Sequence, residues 1–352
     1  EQAFSHMAIA RAFKRMQQAM KACEERLDRH AEDGSPISLH ATMGHLTADI
    51  ISRTIFSTPL GESMAAEVYQ AFTEFERSVA NVDLGRLLLG RPFAAIAQPR
   101  SVTEACERIR SHLGGLLAPR LDGAAGGPSD IAADLIAARD PDTGEGFTRD
   151  ELIDQVGVFF LAGHETTASV LTWAFFILSQ HPEATGRILE EVDRVAGDGP
   201  LAADAVRRLD YVRNVFRETM RLYPPITFIP RVAAEDTTLA GRTVRRGAMI
   251  MIAPWTTHRC EALWPDADRF DPDRFTPERE NRIVPGSYFP FGQGPRVCVG
   301  AGFATMEAGL ILARLTRRYA FDVLEPGRVR PIARLTTRPA REIHAVVRRR
   351  TA

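Results

Sequence analysis

Apolar residues recur at helical spacing through the first two-thirds of the chain. Ile9, Phe13, Met16, Met20 and Leu27 mark one stripe, which predicts a helix over 8–29 that stops at Gly34-Ser35-Pro36. Leu39, Met43, Leu46, Ile50 and Ile55 predict a second helix ending near Thr58-Pro59, and a third is predicted over 62–79. Loose Gly/Pro-rich sequence over 85–99 separates these from a helix over 102–117, and 123–128 reads as a flexible break. Asp140 to Gly144 is a turn, and Thr148 with Glu151 then forms a capping box that opens a long helix to Gln180. Helices over 183–195 and 211–222 follow, the second stopped by Tyr223-Pro224-Pro225.

From Ile226 the period becomes strand-like, over 227–232, 237–244 and 248–253. The stretch 264–290 has little periodicity, and a loop that long inside a compact protein is usually functional. A last helix is predicted over 299–318, followed by short β segments. Helices followed by clustered strands indicate an α+β fold, predominantly α-helical. The organisation expected is one domain over 1–352. Residues 1–225 should be mainly helical, and 226–352 should hold the β segments, a Gly-rich loop and the last long helix.

Composition narrows the function classes. The chain has 352 residues, 45% hydrophobic and 25% charged, so it is globular rather than disordered. Its 44 basic and 45 acidic side chains give a net charge of −1, and no electrostatic case for nucleic acid or an anionic membrane. Lys14 and Lys21 are the only lysines, a bias that reads as a GC-rich, bacterial genome. Cys23, Cys106, Cys260 and Cys298 lie far apart without zinc spacing, so a reducing, cytoplasmic location is expected. The apolar run 156–178 is as long as a membrane span, but Gly163-His164-Glu165-Thr166-Thr167 in its middle favours a buried helix of a soluble protein.

Candidate chemistry concentrates in two motifs. Phe291-Gly292-Gln293-Gly294-Pro295-Arg296-Val297-Cys298-Val299-Gly300 is a Gly-rich loop that lets backbone approach a flat ligand. It delivers Cys298 to a helix start, where exposed amides and the dipole favour a thiolate, with Arg296 two residues away. In the long helix, Ala162-Gly163-His164-Glu165-Thr166-Thr167 combines a small residue with hydroxyls able to bond a carbonyl one turn back, and with an acid–hydroxyl pair suited to proton relay.

These residues resemble a cytochrome P450. The family's F-G-x-G-x-R-x-C-x-G signature is matched at every fixed position, and so is its A-G-x-[DE]-T-[TS] oxygen-activation motif. The resemblance implies haem b (iron protoporphyrin IX) with Cys298 as its axial ligand, the thiolate ligation known for this family. It places Phe291, Gly292, Gly300 and Ala162 against the cofactor, Arg296 and Arg231 on its propionates, and Glu165 with Thr166 in proton delivery. Glu218-Thr219-Met220-Arg221 and Pro272-Asp273-Arg274-Phe275 match the family's E-x-x-R and P-x-R-F elements, so Glu218, Arg221 and Arg274 are expected to form a buried structural network. His258-Arg259 is read as structural, and His164 faces an undetermined side.

The same mapping assigns Val158, Leu161, Ile226, Thr227 and Phe228 to an apolar substrate pocket roofed by residues 72–89. Glu1-Gln2-Ala3-Phe4-Ser5 resembles a segment well inside the family's sequences, so the family's first strands, one loop and a propionate-binding helix are expected to be missing. No reductase domain is expected downstream, so electrons should come from a ferredoxin or flavodoxin with an NAD(P)H-dependent reductase, drawn to Arg213, Arg217 and Arg296. The activity implied is insertion of one oxygen atom from O2 into a lipophilic substrate. A peroxygenase, or an isomerase or dehydratase, is the alternative, and a non-catalytic haem protein or decayed fragment the second.

Overall fold

The computed structural model describes residues 6–79, 100–121 and 128–350. The expected breaks over 85–99 and 123–128, the roof beyond residue 79 and the segment Glu1–Ser5 fall wholly or mostly outside these. Helix α1 (His6–Asp33) leads through a two-residue strand β1 (Ile37–Ser38) into α2 (Leu39–Phe56) and α3 (Glu62–Val79). Helices α4 (Arg100–Leu121) and α5 (Ile131–Ala137) precede the long α6 (Arg149–Gln180). Then come α7 (Pro182–Ala196), α8 (Ala203–Arg207) and α9 (Asp210–Leu222). The later region holds β2 (Ile229–Val232), β3 (Thr237–Leu239), β4 (Arg242–Val244), β5 (Met249–Ile252) and the one-turn α10 (Pro254–Thr257) and α11 (Pro277–Glu280). Helix α12 (Ala301–Arg318) leads to β6 (Tyr319–Val323), β7 (Pro331–Ala333), β8 (Thr337–Pro339) and β9 (His344–Arg349).

Helix α6 is the axis of the molecule. Its capping box forms as the sequence predicts: Glu151 N donates to Thr148 Oγ1 at 3.3 Å, and Thr148 N to Glu151 Oε2 at 2.8 Å. It packs on α2, α4, α9 and α12. The stripes of the first helices turn inward, with Phe13, Met16, Met20, Leu27, Met43, Leu46, Ile50 and Ile55 all buried in the main core. A small second cluster of Trp264, Ala267 and Phe275 gives the aperiodic 264–290 stretch its own anchor.

The sequence pattern misses the shortest elements. Strand β1 is too short to show a period, yet it pairs with β9 (Ile37 opposite Ala345), which pairs in turn with β6. Helices α5 and α8 also lack a readable stripe. The expected strand 237–244 is a hairpin, turned at Ala240 and Gly241, both with positive φ. No helix among the described residues is long and apolar enough to cross a membrane.

Candidate active site

A cavity of about 780 Å³ opens between α6, the β2/β5 ribbon and the Gly-rich loop. Helix α6 contributes Phe159, Ala162, Gly163, Thr166 and Thr167. The first four stand at i, i+3, i+4 and i+7, one face of a 3.6-residue repeat. Gly163 is favoured by its neighbour as well as by the cavity. A Cβ there would lie 3.0 Å from Ile51 Cδ1 of α2, so any side chain would require Ile51 to shift. Thr47 Oγ1 of α2 donates to His164 O at 2.9 Å, and Thr166 Oγ1 donates to Ala162 O at 2.8 Å. The motif's backbone is thus tied on both sides, and the Thr166 hydroxyl keeps its lone pairs free to accept.

Across the cavity lies the loop that carries Cys298. Gly292 (φ 75°) and Gly294 (φ 72°) take the left-handed conformation that a side chain would strain. Gly292 N donates to Phe289 O, Val297 N to Gly294 O, and Cys298 N to Phe291 O at 2.9 Å. These bonds curl the loop so that the Cys298 side chain is exposed on the cavity wall, just before α12. Val297 and Val299 beside it are also exposed, 53% and 49%. Of the two, Val299 lines the cavity, and an exposed apolar side chain beside the thiol suits an apolar ligand that would cover it. Arg231 and Arg296 line the same cavity. Neither has a carboxylate partner among the described residues, and the Arg231 side chain donates to the neighbouring Pro230 carbonyl at 2.9 Å.

The network expected behind the loop is present. Arg221 and Glu218, both fully buried, meet through two parallel bonds, Nε to Oε2 at 2.7 Å and Nη2 to Oε1 at 2.8 Å. Arg221 also donates to the carbonyls of His258, Ala267 and Arg269. Arg274 Nε lies 3.4 Å from Glu218 Oε1, and its other nitrogens donate to the carbonyls of Pro265 and Asp266. The link to the thiol loop runs through His258, whose Nε2 accepts from Phe289 N at 3.1 Å.

Glu165 faces the other way. Its carboxyl is buried and absent from the cavity lining, while the next residue, Thr166, lines it. A step of about 100° per residue separates the two side chains. Glu165, Ser169 and Trp173, at i, i+4 and i+8, form the face that meets β8. Ser169 Oγ and Trp173 Nε1 both donate to Thr337 O, at 2.6 and 2.9 Å. That docking places Arg338 against Glu165, Nε donating to Oε1 at 2.9 Å. Burial pushes the Glu165 carboxyl up to about 7, against the pull of the Arg338 guanidinium. His164 is buried between Phe72 and Phe160, with Nδ1 3.0 Å from Phe160 O, and it too is outside the lining.

Four expected pocket residues are corrected. Val158 is 63% exposed and Leu161 packs against the main core, neither of them in the lining, because the cavity face of α6 is offset by one residue, at Phe159 and Ala162. Ile226 lines the cavity as expected, but Thr227 is buried away from it and Phe228, 46% exposed, turns outward. Two of the cations expected to attract a redox partner have acidic neighbours of their own. Arg213 pairs with Asp210, and Arg217 pairs with Glu280 and stacks over Phe275. Sequence reasoning overlooked Arg338, Glu76, Thr336 and Glu307. Of these, Glu307 carried a readable signal: a lone acid among the apolar positions Phe303, Met306, Leu310 and Ile311.

Comparison with known proteins agrees with this geometry. The family model described as Cytochrome P450 matches residues 2–345. The chain is 37% identical over 314 residues to cyclooctatin synthase of Streptomyces melanosporofaciens, covering 88% of this chain and 67% of that protein. It is 33% identical over 289 residues to cyclooctat-9-en-7-ol 5-monooxygenase of the same organism, covering 82% and 62%. The solved cytochrome P450DA heme domain superposes with a TM-score of 0.85 at 26% identity, covering 99% of this chain and 75% of that one. The chain belongs to the cytochrome P450 family, oxidoreductases that incorporate oxygen and whose cofactor is haem b.

Proposed function

We propose that this protein is a haem-thiolate monooxygenase that inserts one oxygen atom from O2 into a lipophilic substrate. The observation that carries the reading is the pairing of an exposed Cys298 with the Gly163–Thr166 face of α6 across one apolar cavity. The residues present fit the cofactor. Cys298 would hold the iron through its thiolate, and Gly292, Gly300, Phe291 and Ala162 would lie against the cofactor. Arg231 and Arg296, without a carboxylate partner among the described residues, would meet its two propionates. Bound haem would supply the dioxygen chemistry. The chain's own role is to hold the thiolate, to exclude water with apolar walls, and to deliver protons through Thr166 and Glu165.

The alternating bonds of the loop give Cys298 a fixed approach, because its own N–H is already spent on Phe291 O. One relative is named as a monooxygenase of cyclooctat-9-en-7-ol, and the largely apolar lining supports a lipophilic substrate here as well. Electrons would come from a ferredoxin or flavodoxin with an NAD(P)H-dependent reductase in the cytoplasm, a location that unpaired cysteines suit. The test is spectroscopic. Reduced protein under CO should show the band typical of thiolate-ligated haem, and Cys298→His should move it. An unmoved band would overturn the assignment.

A further inference from the structure

Behind α6, on the side away from the cavity, four side chains from three elements meet out of water. Glu165 comes from α6, Glu76 from α3, and Thr336 and Arg338 from the β7/β8 hairpin; all four are buried. Arg338 Nε donates to Glu165 Oε1 at 2.9 Å and lies 2.5 Å from Glu76 Oε2. Thr336 Oγ1 lies 3.0 Å from Glu76 Oε1 and 3.1 Å from Glu165 Oε1. Thr336 N also donates to Glu76 Oε1 at 3.2 Å.

The hydrogen count is consistent with one shared proton. A threonine hydroxyl has one proton, so it can donate to only one of the two carboxyl oxygens it touches. The other contact is a bond only when that carboxyl itself brings a proton. The charge count agrees. Two ionised carboxylates beside one guanidinium would leave an unbalanced negative charge in a water-free site, which is costly.

Among the described residues Arg338 is the one guanidinium within 4 Å of either carboxyl, while the half-buried Arg334 of the same hairpin acts on Glu76 from farther off and pulls it only downward. The groups facing Glu165 are His40 from α2, Glu76 and Tyr69 from α3, His164 on α6 itself, and Arg338. His40 Nε2 is 3.8 Å from Glu165 Oε1, and His164 Nε2 is 4.0 Å from Oε2. Burial drives the two imidazoles down, to about 3 and about 4, so both are neutral. Tyr69 gives its hydroxyl to the exposed Glu342 at 2.9 Å and carries no charge.

We propose that Glu165 and Glu76 form a carboxyl pair that shares one proton through Thr336, with Arg338 balancing the single remaining negative charge. The pair is a proton store set one residue from Thr166 and fed from behind the helix. It rests on the reading of Glu165 and Thr166 as a proton relay for its purpose, but not for its existence. Arg338 and Glu76 touch neither the cavity nor a substrate, so they are positioning residues acting through Glu165.

The readout is the infrared carbonyl band of un-ionised carboxyl in the haem-loaded protein, followed against pH and assigned by its loss in Glu165→Gln. The two groups titrate as a pair, so the apparent values belong to both. Arg338→Met removes the cation and should move the titration of the pair upward by about 1–3 pH units. Glu76→Gln leaves Arg338 wholly to Glu165 and should move it downward by a similar amount. Shifts of opposite sign support the shared proton. No shift in either variant, or shifts of the same sign, would overturn it. Should Arg338→Met fail to fold, Glu76→Gln decides alone, because the amide keeps the shape of the carboxyl. Product formed per electron consumed separates the two readings. Opposite shifts with unchanged coupling in Glu76→Gln would keep the proton store and sink the relay.

Discussion

Around Glu218 one carboxylate faces two guanidiniums, whereas around Glu165 two carboxyl groups share one. Both clusters are buried, and both tie a helix to a distant stretch of the chain. Their different stoichiometry gives them different work. At Glu218 the surplus guanidinium nitrogens are spent on five backbone carbonyls, of His258, Ala267, Arg269, Pro265 and Asp266. Charge there is more than matched, and the result is a rigid bracket for the segment leading to the thiol loop. At Glu165 a second cation in contact is lacking, and the deficit is made up by a proton. The first arrangement fixes geometry, and the second leaves one group able to change its charge beside the cavity.

The largest expected effect follows from breaking the bracket. Arg221→Ala would leave the buried Glu218 to Arg274, 3.4 Å away, and to the Asp271 amide, and would orphan three carbonyls at once; removing one partner of a buried pair costs about 3–5 kcal/mol. Urea denaturation should show that loss, together with loss of haem, since Phe289 is held through His258. Glu76→Gln should cost much less, because it removes one of two competing acids. Equal losses in the two variants would erase the distinction drawn between the clusters.

Next comes the chemistry on the cavity side. With Thr166→Ala the hydroxyl that faces the cavity is gone, while the lining stays apolar. A positioned proton donor is worth about 10²-fold or more in rate, so product formation should fall by about that factor, with electrons appearing as hydrogen peroxide. Substrate affinity should change little, because a later step is affected. Wild-type coupling in this variant would show that neither Thr166 nor the acid behind it serves the reaction.

Much of this was legible before the fold was known, and the reason is local. The capping box at Thr148, the stripes of α1 and α2, and the Gly-rich loop around Cys298 are all written in contiguous residues. The Glu218–Arg221 pair was legible too, since i, i+3 on a helix is a fixed distance. Arg338 was not. It lies 173 residues from Glu165 and meets it only because Ser169 and Trp173 grip Thr337. Glu76 joins from a third element in the same way. Val158 and Leu161 failed for a different reason: periodicity gives the face of a helix but not its rotation about the axis, and one residue of offset moved the cavity to Phe159 and Ala162.

Glu307 extends the comparison to an acid with no cationic partner among the described residues. It sits on α12, buried, and its carboxyl bonds to the Thr167 side chain while Oε2 has no partner there. Burial raises its carboxyl well above the ordinary glutamate value, the Thr167 hydroxyl pulling only weakly the other way. The sign of the consequence is fixed by proton binding. Above the ordinary value the unfolded chain has lost this proton and the folded protein keeps it, so stability falls as pH rises, at a limiting slope of about 1.4 kcal/mol per pH unit for one group. Glu307→Gln removes that dependence while keeping a polar contact for Thr167. Its amide leaves a buried N–H unmatched at the Oε2 position, a roughly constant loss of about 1–3 kcal/mol. Measured by denaturant unfolding, the variant should therefore compare unfavourably with the parent at pH 5.5 and gain on it steadily towards pH 8. The variant carries the same Glu165 pair as the parent, so the difference isolates Glu307. A gap between the two proteins that stays constant across this range would mean that Glu307 is ionised inside the fold, and that a buried acid on α12 needs no counter-charge to be so.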